Sequence, residues 1–525
     1  MGLPVLWLAA GAIDAALAGS NGLSATMLPT ALRETALLMA WVGAITSVLG
    51  LVSAWLVTHY SFPLRRLFEW ALILPLAVPT YLAAYTYVEF LDFTGPIQQA
   101  VRALTGAATL RDYWFPNIRT NTGAAIVLSL VLYPYVYVAC RAFFLMQSAS
   151  LNIAARTLGA SGLRTFFSIT LPLSRPAIVV GATLAMMEVV NDLGAVQYFG
   201  VNSLTAIIYS TWINRGNFGG AAQLAVTIVL IIGVLILAEQ WARRNRVYLS
   251  SRDSRVPPVR EALRGARAWG AFGFCALLLV AGFGIPFGQL TYSALRTLRP
   301  EAVALTISAG VPTIMLGCVG GLLTVAIGLF AARQSNGPGG PVPRGAIRLA
   351  TLGYAIPGTV LALGLLQPLG LADLWINRAT MAAFDWRPGL ILSGSMIALC
   401  YVYAIRFLAV SHSTLDAAMR KRGRSMLDAG SVLGASRWRL LWRIDLPTLS
   451  PAILSAATLV FVEIVKELPA TLLLRPLGID TLATVVFARA NVSLFAEAAL
   501  PALAIVLIGL IPVVLATRPG IGRKV

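Results

Sequence analysis

Charge is scarce in this chain: 12% of its 525 residues are charged while 58% are hydrophobic, with mean hydropathy +0.79. A soluble domain carries about a quarter charged residues, so a soluble globular fold is excluded. Histidine is rarer still, with only His59 and His412, which excludes a His-rich metal site. Four cysteines (Cys140, Cys275, Cys318 and Cys400) all lie in apolar stretches without ligand-like spacing. They read as buried small hydrophobes and not as a disulfide framework. The chain also has no G-x-x-x-x-G-K-[ST] loop to cradle phosphates, no H-E-x-x-H and no G-x-S-x-G. It therefore shows no visible ATPase, metalloprotease or serine-hydrolase apparatus of its own.

What it does have is long apolar runs. "AAIVLSLVLYPYVYVACRAFFL" and "LAVTIVLIIGVLILAEQW" are long enough to cross about 30 Å of hydrocarbon as helices. Apolar blocks near 3–18, 35–58, 69–92, 123–146, 176–198 and 221–242 form one half. Blocks near 269–291, 303–332, 348–370, 388–410, 451–473 and 497–517 form the other. The expected fold is an all-α polytopic membrane protein of about twelve spans in two six-helix halves, residues 1–249 and 267–525. The first block, interrupted by Asp14, reads as the tail of a helix whose beginning is missing; a signal peptide is the rival, without the usual basic start.

The formal net charge of +19 comes from arginines set between the apolar blocks. No nucleic-acid module accompanies them, so the charge reads as membrane topology and nucleic acid is not an expected partner. The stretch 243–267 holds eight arginines against two acids around Pro257 and Pro258, and the connector 250–266 is expected in the cytoplasm. With an even number of spans per half, the other arginine-rich loops face the same side, and the halves are parallel repeats. Pro79 in "LPLAVPTYLAA" aligns with Pro357 in "LGYAIPGTVLA", which predicts a bend in the third and ninth spans.

One phrase is said twice. "LGASGLRTFFSITLP" at 158–172 and "LGASRWRLLWRIDLP" at 433–447 share eight of fifteen positions, 275 residues apart, including Arg164 and Arg439. Each reads as a short helix, a bend at Gly159 or Gly434, a second amphipathic helix, and a proline starting the next span. The phrase resembles the loop of ABC importer permeases with pattern Glu-Ala-Ala, three residues, Gly, nine residues, Ile, one residue, Leu-Pro. Ala154, Ala155, Gly159, Ile169, Leu171 and Pro172 fit it in the first half, and Asp428, Ala429, Gly434, Ile444, Leu446 and Pro447 in the second. Ile153 departs from the pattern at the acidic position, and Gly430 at the second alanine.

The downstream segments "MEVVNDLGAVQYFGVNSLTAIIYSTW" and "VEIVKELPATLLLRPLGIDTLATVVFARA" are similar to the fused, two-half permeases for ferric iron. The resemblance implies a type I importer fold in a bacterial inner membrane. It implies loops that couple to two copies of a separate ATPase, which would hold the ATP and Mg; no cofactor is expected on this chain. It also implies an extracytoplasmic iron-binding protein as partner. Related permeases carry thiamine, polyamines or aminoethylphosphonate. A secondary transporter leaves the paired loops unexplained, and an intramembrane enzyme lacks a visible nucleophile or metal constellation.

The 275-residue offset also aligns Glu188 with Glu463 and Asp192 with Glu467. Within each pair the spacing is i, i+4, so both carboxylates share a helix face, well inside the membrane, where an ionised carboxylate must be paired or face water. Two readings stay open: a carboxylate-lined cation pathway suited to Fe(III), or ion pairing within the bundle, with Lys466 as partner of Glu467.

Overall fold

The computed structural model describes residues 2–18, 22–109, 111–146, 157, 159, 161–244, 260–336, 341–422 and 432–517. Ten of its helices are long and apolar enough to cross a membrane. A further pair, Arg65–Ala77 with Thr80–Thr105, is bent by 91°, and Gly2–Leu17 is a shorter apolar helix. Together these fall on the twelve apolar blocks, but among the described residues ten qualify as spans, or eleven with the bent pair, and not the expected twelve.

The first half runs α1 (Gly2–Leu17), α2 (Gly22–His59), α3 (Arg65–Ala71), α4 (Thr80–Leu91), α5 (Pro96–Thr105) and α6 (Asn121–Met146). It continues through α7 (Leu171–Asn191), α8 (Gly194–Tyr198), α9 (Leu204–Ile213) and α10 (Phe218–Arg244). The second runs α11 (Ala266–Leu279), α12 (Ile285–Arg296), α13 (Pro300–Asn336), α14 (Pro341–Thr351), α15 (Gly358–Phe384) and α16 (Met396–Arg422). It closes with α17 (Leu446–Lys466), α18 (Pro469–Leu474), α19 (Leu482–Asn491), α20 (Phe495–Gly509) and α21 (Ile511–Thr517).

Two compact units form. One joins Met1–Asn21, Thr211–Val226 and Ala294–Val525; the other joins Gly22–Ser210 and Thr227–Ser293. The first helix of each sequence half thus packs with the other half. In one unit α1 lies on α15: the Trp7 indole N–H donates to Gln367 Oε1 at 2.9 Å. A side chain at Gly364 would meet the Pro4 carbonyl at 2.5 Å, so glycine permits this approach. In the other unit α11 and its continuation pack on the first half: Tyr87 Oη donates to the Ala281 carbonyl at 2.5 Å, and Gln289 hydrogen-bonds Glu89. There the chain beyond the linker is also tied by a parallel pair, β1 (Tyr60–Ser61) with β2 (Glu261–Ala262).

Inside this second unit α2, α6 and α7 meet on Val136. Side chains at Gly50 or Gly181 would approach its atoms to 2.5 Å, and small residues are what let membrane helices come this close. The internal repeat is visible in single hydrogen bonds. Thr35 Oγ1 accepts the Leu204 N–H at 3.0 Å, and Thr313 Oγ1 accepts that of Leu482 at 2.9 Å. Both partners start equivalent short helices, α9 and α19.

The third span is bent by 91° at the break that holds Pro79, as expected, but Pro79 and Pro357 stand between helices and not inside one. A 3₁₀ turn, Leu74–Ala77, precedes Pro79 and α4; another, Leu352–Ala355, precedes Pro357 and α15. The preceding residues, Val78 (ψ 115°) and Ile356 (ψ 130°), are extended, because the proline ring disfavours helical geometry in the residue before it.

Candidate coupling loops and membrane carboxylates

Ala154, Ala155, Asp428 and Ala429 lie outside the described residues. From the loop glycines onward the two repeats follow the same course. Gly159 has φ 80° and Gly434 φ 75°, left-handed values that a side chain resists, so each glycine occupies a turn that needs it. Short helices follow at Gly162–Thr165 and Arg437–Leu440. Each is capped alike: Ser161 Oγ accepts the Arg164 N–H and Ser436 Oγ that of Arg439, both at 3.3 Å. Arg164 and Arg439 are exposed.

Each short helix then enters a single π turn, Phe166–Thr170 or Leu441–Asp445. The π bonds run from the Leu171 N–H to the Phe166 carbonyl and from the Leu446 N–H to the Leu441 carbonyl. Pro172 and Pro447 sit at the second residue of α7 and α17. They do begin the spans, but the chain reaches them already helical. Short helix and span are therefore one rod with a widened turn. Ile169, Leu171, Ile444 and Leu446 are half-buried along it, as is Pro172, while Pro447 is exposed. The second loop presents exposed apolar side chains: Val432, Leu433, Trp438 and Trp442 are 66–88% exposed. Phe167 is 62% exposed in the first.

The four acids do not form two helical i, i+4 pairs. α7 ends at Asn191 and α17 at Lys466, and both Asp192 (ψ 120°) and Glu467 (ψ 121°) are extended. Glu188 and Glu463 remain on the helices and are half-buried. Asp192 and Glu467 are buried at the break and turn to the next helix. Asp192 Oδ1 accepts the Ala195 N–H at 2.8 Å, within α8. Glu467 accepts the N–H groups of Ala470 and Thr471 at 2.9 and 3.0 Å, and the Thr471 hydroxyl at 2.6 Å. A carboxylate over the first turn of a helix satisfies N–H groups that have no partner within it.

Glu467 pairs with Arg406, which donates through Nη1 at 2.9 Å. Both side chains are at most 10% exposed. Arg406 was legible in outline: a lone arginine within "IALCYVYAIRFLAV" needs a partner in a membrane. Gly358 makes room for the pair, because a side chain there would stand 2.2 Å from Arg406 Nη1. The first half has Thr80 at that position, by the same register that aligns Pro79 with Pro357, and its side chain hydrogen-bonds Asp192. One half closes the break with a hydroxyl, the other with an ion pair.

Two capped loop-and-rod units, each joined to a broken fifth span and set in a repeated helical frame, define a two-half transport subunit. Residues 46–246 and 324–520 each match the binding-protein-dependent transport system inner membrane component family. The chain belongs to that family, as a fused two-half permease subunit of an ABC importer in the inner membrane. It is 26% identical over 490 residues to the Fe(3+)-transport system permease protein FbpB 2 of Haemophilus influenzae, covering 92% of this chain and 88% of that one. It is 29% identical over 201 residues to the molybdenum transport system permease protein ModB of Escherichia coli K12, covering 37% and 84%. Sulfate transport system permease protein CysT of Salmonella typhimurium is 26% identical over 222 residues, covering 40% and 77%.

Proposed function

We propose that this permease moves ferric iron, handed over by an extracytoplasmic binding protein, into the cytoplasm. Two copies of a separate ATPase drive it, one on each loop, and hold the ATP and Mg; the chain itself binds no cofactor. The observation that carries the iron reading is the relationship to an Fe(3+) permease over 92% of this chain and 88% of that one, whereas the molybdenum and sulfate relatives match 37% and 40% of it. The loop assignment rests on the repeated left-handed glycine, serine cap and π turn, with exposed apolar side chains beside them.

Of the four membrane acids, Glu188 and Glu463 are the pathway candidates. Hard carboxylate oxygens suit Fe(III), and a conduit must release what it admits, so weak successive contacts are expected in place of a chelating cage. Asp192 and Glu467 instead hold the break at the end of each fifth span.

The deciding experiment is reconstitution with the cognate ATPase and binding protein, comparing uptake of ⁵⁵Fe(III) with that of ⁹⁹Mo-molybdate and ³⁵S-sulfate. Uptake of ⁵⁵Fe alone, dependent on ATP, is expected. Uptake of an oxyanion without iron would overturn the substrate, and absence of ATPase association would overturn the coupling assignment.

A further inference from the structure

At the root of the second loop, Asp445 closes the π turn with its side chain 2% exposed. Two cations reach it from different helices. Arg333, near the end of α13, lies 2.8 Å from Oδ2, and Arg422, the last residue of α16, binds Oδ1. Arg422 also donates to Thr448 Oγ1 at 3.3 Å, one turn into α17. A single buried carboxylate thus joins three membrane helices at the point where the loop becomes a span.

The first half is built otherwise at the same place. Thr170 replaces Asp445, and the register shared by Thr35 and Thr313 puts Trp55 at the position of Arg333. Trp55 packs on Phe166, the first residue of that π turn, with ring centroids 4.5 Å apart, and edge-on to Tyr60 at 5.1 Å. An aromatic contact favours certain ring geometries but holds over a broad range of offsets and centroid distances, so it tolerates sliding. A buried carboxylate held by two guanidinium groups fixes direction as well as distance.

We propose that Asp445 is a positioning residue that locks the second coupling loop to α13, α16 and α17, so that ATPase movement there displaces three helices as one body. The first loop, held by Trp55 and Phe166, passes its movement to α7 with more slack. The two loops of one chain then differ in how tightly ATP hydrolysis is tied to opening of the pathway. This rests on the coupling-loop reading above.

The test uses the full chain with its ATPase in liposomes, its four native cysteines replaced and spin labels placed at exposed Ala417 of α16 and exposed Arg443 of the π turn. With Asp445 intact, the distance distribution should be narrow and the same in nucleotide-free and ATP–vanadate-trapped complexes. Asp445→Asn should broaden it in both states and lower solute moved per ATP by about tenfold, with the ATPase still bound. Asp445→Glu should restore both readouts at least in part. Thr170→Val should leave the second loop's distribution unchanged. Should Asp445→Asn fail to fold, Arg333→Gln, acting at the more exposed partner, should give the same broadening. Distributions in both Asp445→Asn and Arg333→Gln identical to the parent would overturn the lock. Absence of ATPase binding by the parent chain would overturn the coupling reading, while the nucleotide-free comparison would still decide whether Asp445 holds the loop.

Discussion

Arg406 reaches Glu467 through the space that Gly358 leaves, and a β-carbon there would stand 2.2 Å from the guanidinium and 2.6 Å from the carboxylate. The pair also orders α18, whose N–H groups Glu467 accepts. Gly358→Ala is therefore expected to act as a break of the ion pair. Removing one partner of a buried pair strands the other charge, at a cost of about 3–5 kcal/mol. Gly358→Ala, Glu467→Gln and Arg406→Met should each lower membrane abundance and the melting temperature in detergent. Arg406→Met combined with Glu467→Gln should recover part of the loss. Thr80→Ala, which removes one hydrogen bond to Asp192, should cost far less, about 1 kcal/mol.

Much of this was legible in the sequence, and the rest fails for identifiable reasons. The apolar runs mark the long helices, and the repeated phrase marks the paired turns at Gly159 and Gly434, because hydropathy and repetition are local properties of the chain. The ends of α7 and α17 are not local in that sense. "EVVND" and "EIVKE" continue helix-compatible sequence through Asp192 and Glu467, and the stop comes from carboxylates that turn to cap α8 and α18. The second of these depends on Arg406, sixty-one residues away, which no spacing rule connects to it. The packing of α1 on α15 is equally invisible, since Trp7 and Gln367 lie 360 residues apart.

The loop glycines make a different kind of prediction. Among the described residues nothing lies within 4 Å of a β-carbon at Gly159 or Gly434, so Gly→Ala meets none of them and strains a left-handed backbone. That strain is worth roughly 1–2 kcal/mol. Melting temperature should change little, while ATPase co-purification or the ratio of uptake to hydrolysis falls. Gly→Pro should be worse, because proline holds φ near −65°. The second loop should be the more sensitive, since it retains the acidic Asp428 where the first has Ile153. Normal co-purification and uptake in the Gly159→Pro/Gly434→Pro double mutant would remove the assignment.

Orientation follows from the arginine distribution. Reporter fusions at Ser161, Arg260 and Ser436 should all read cytoplasmic, and fusions at Thr109, Asn214 and Arg378 should read the opposite side. Ser161 and Ser436 cap equivalent helices, so they provide the sharpest comparison. Opposite readings at these two would be incompatible with parallel halves.

The membrane acids separate into two kinds that one mutant series can distinguish. Asp192 and Glu467 are buried and committed to helix N–H groups, so neutralising them should reduce the amount of folded protein. Glu188 and Glu463 are half-buried on the spans themselves, and Gln at either position keeps size and most hydrogen bonding. Their neutralisation should leave abundance and melting temperature near the parent values. If they contact the transported cation, ⁵⁵Fe uptake per folded transporter should fall, most in the Glu188→Gln/Glu463→Gln double mutant. Each lost carboxylate weakens attraction for a trivalent cation in a low-dielectric passage, so a loss of about tenfold or more is expected from the pair. ATP hydrolysis should continue in the same samples, because the coupling loops are untouched. Uptake per folded transporter equal to the parent in both single mutants and the double would show that the cation path does not use these groups.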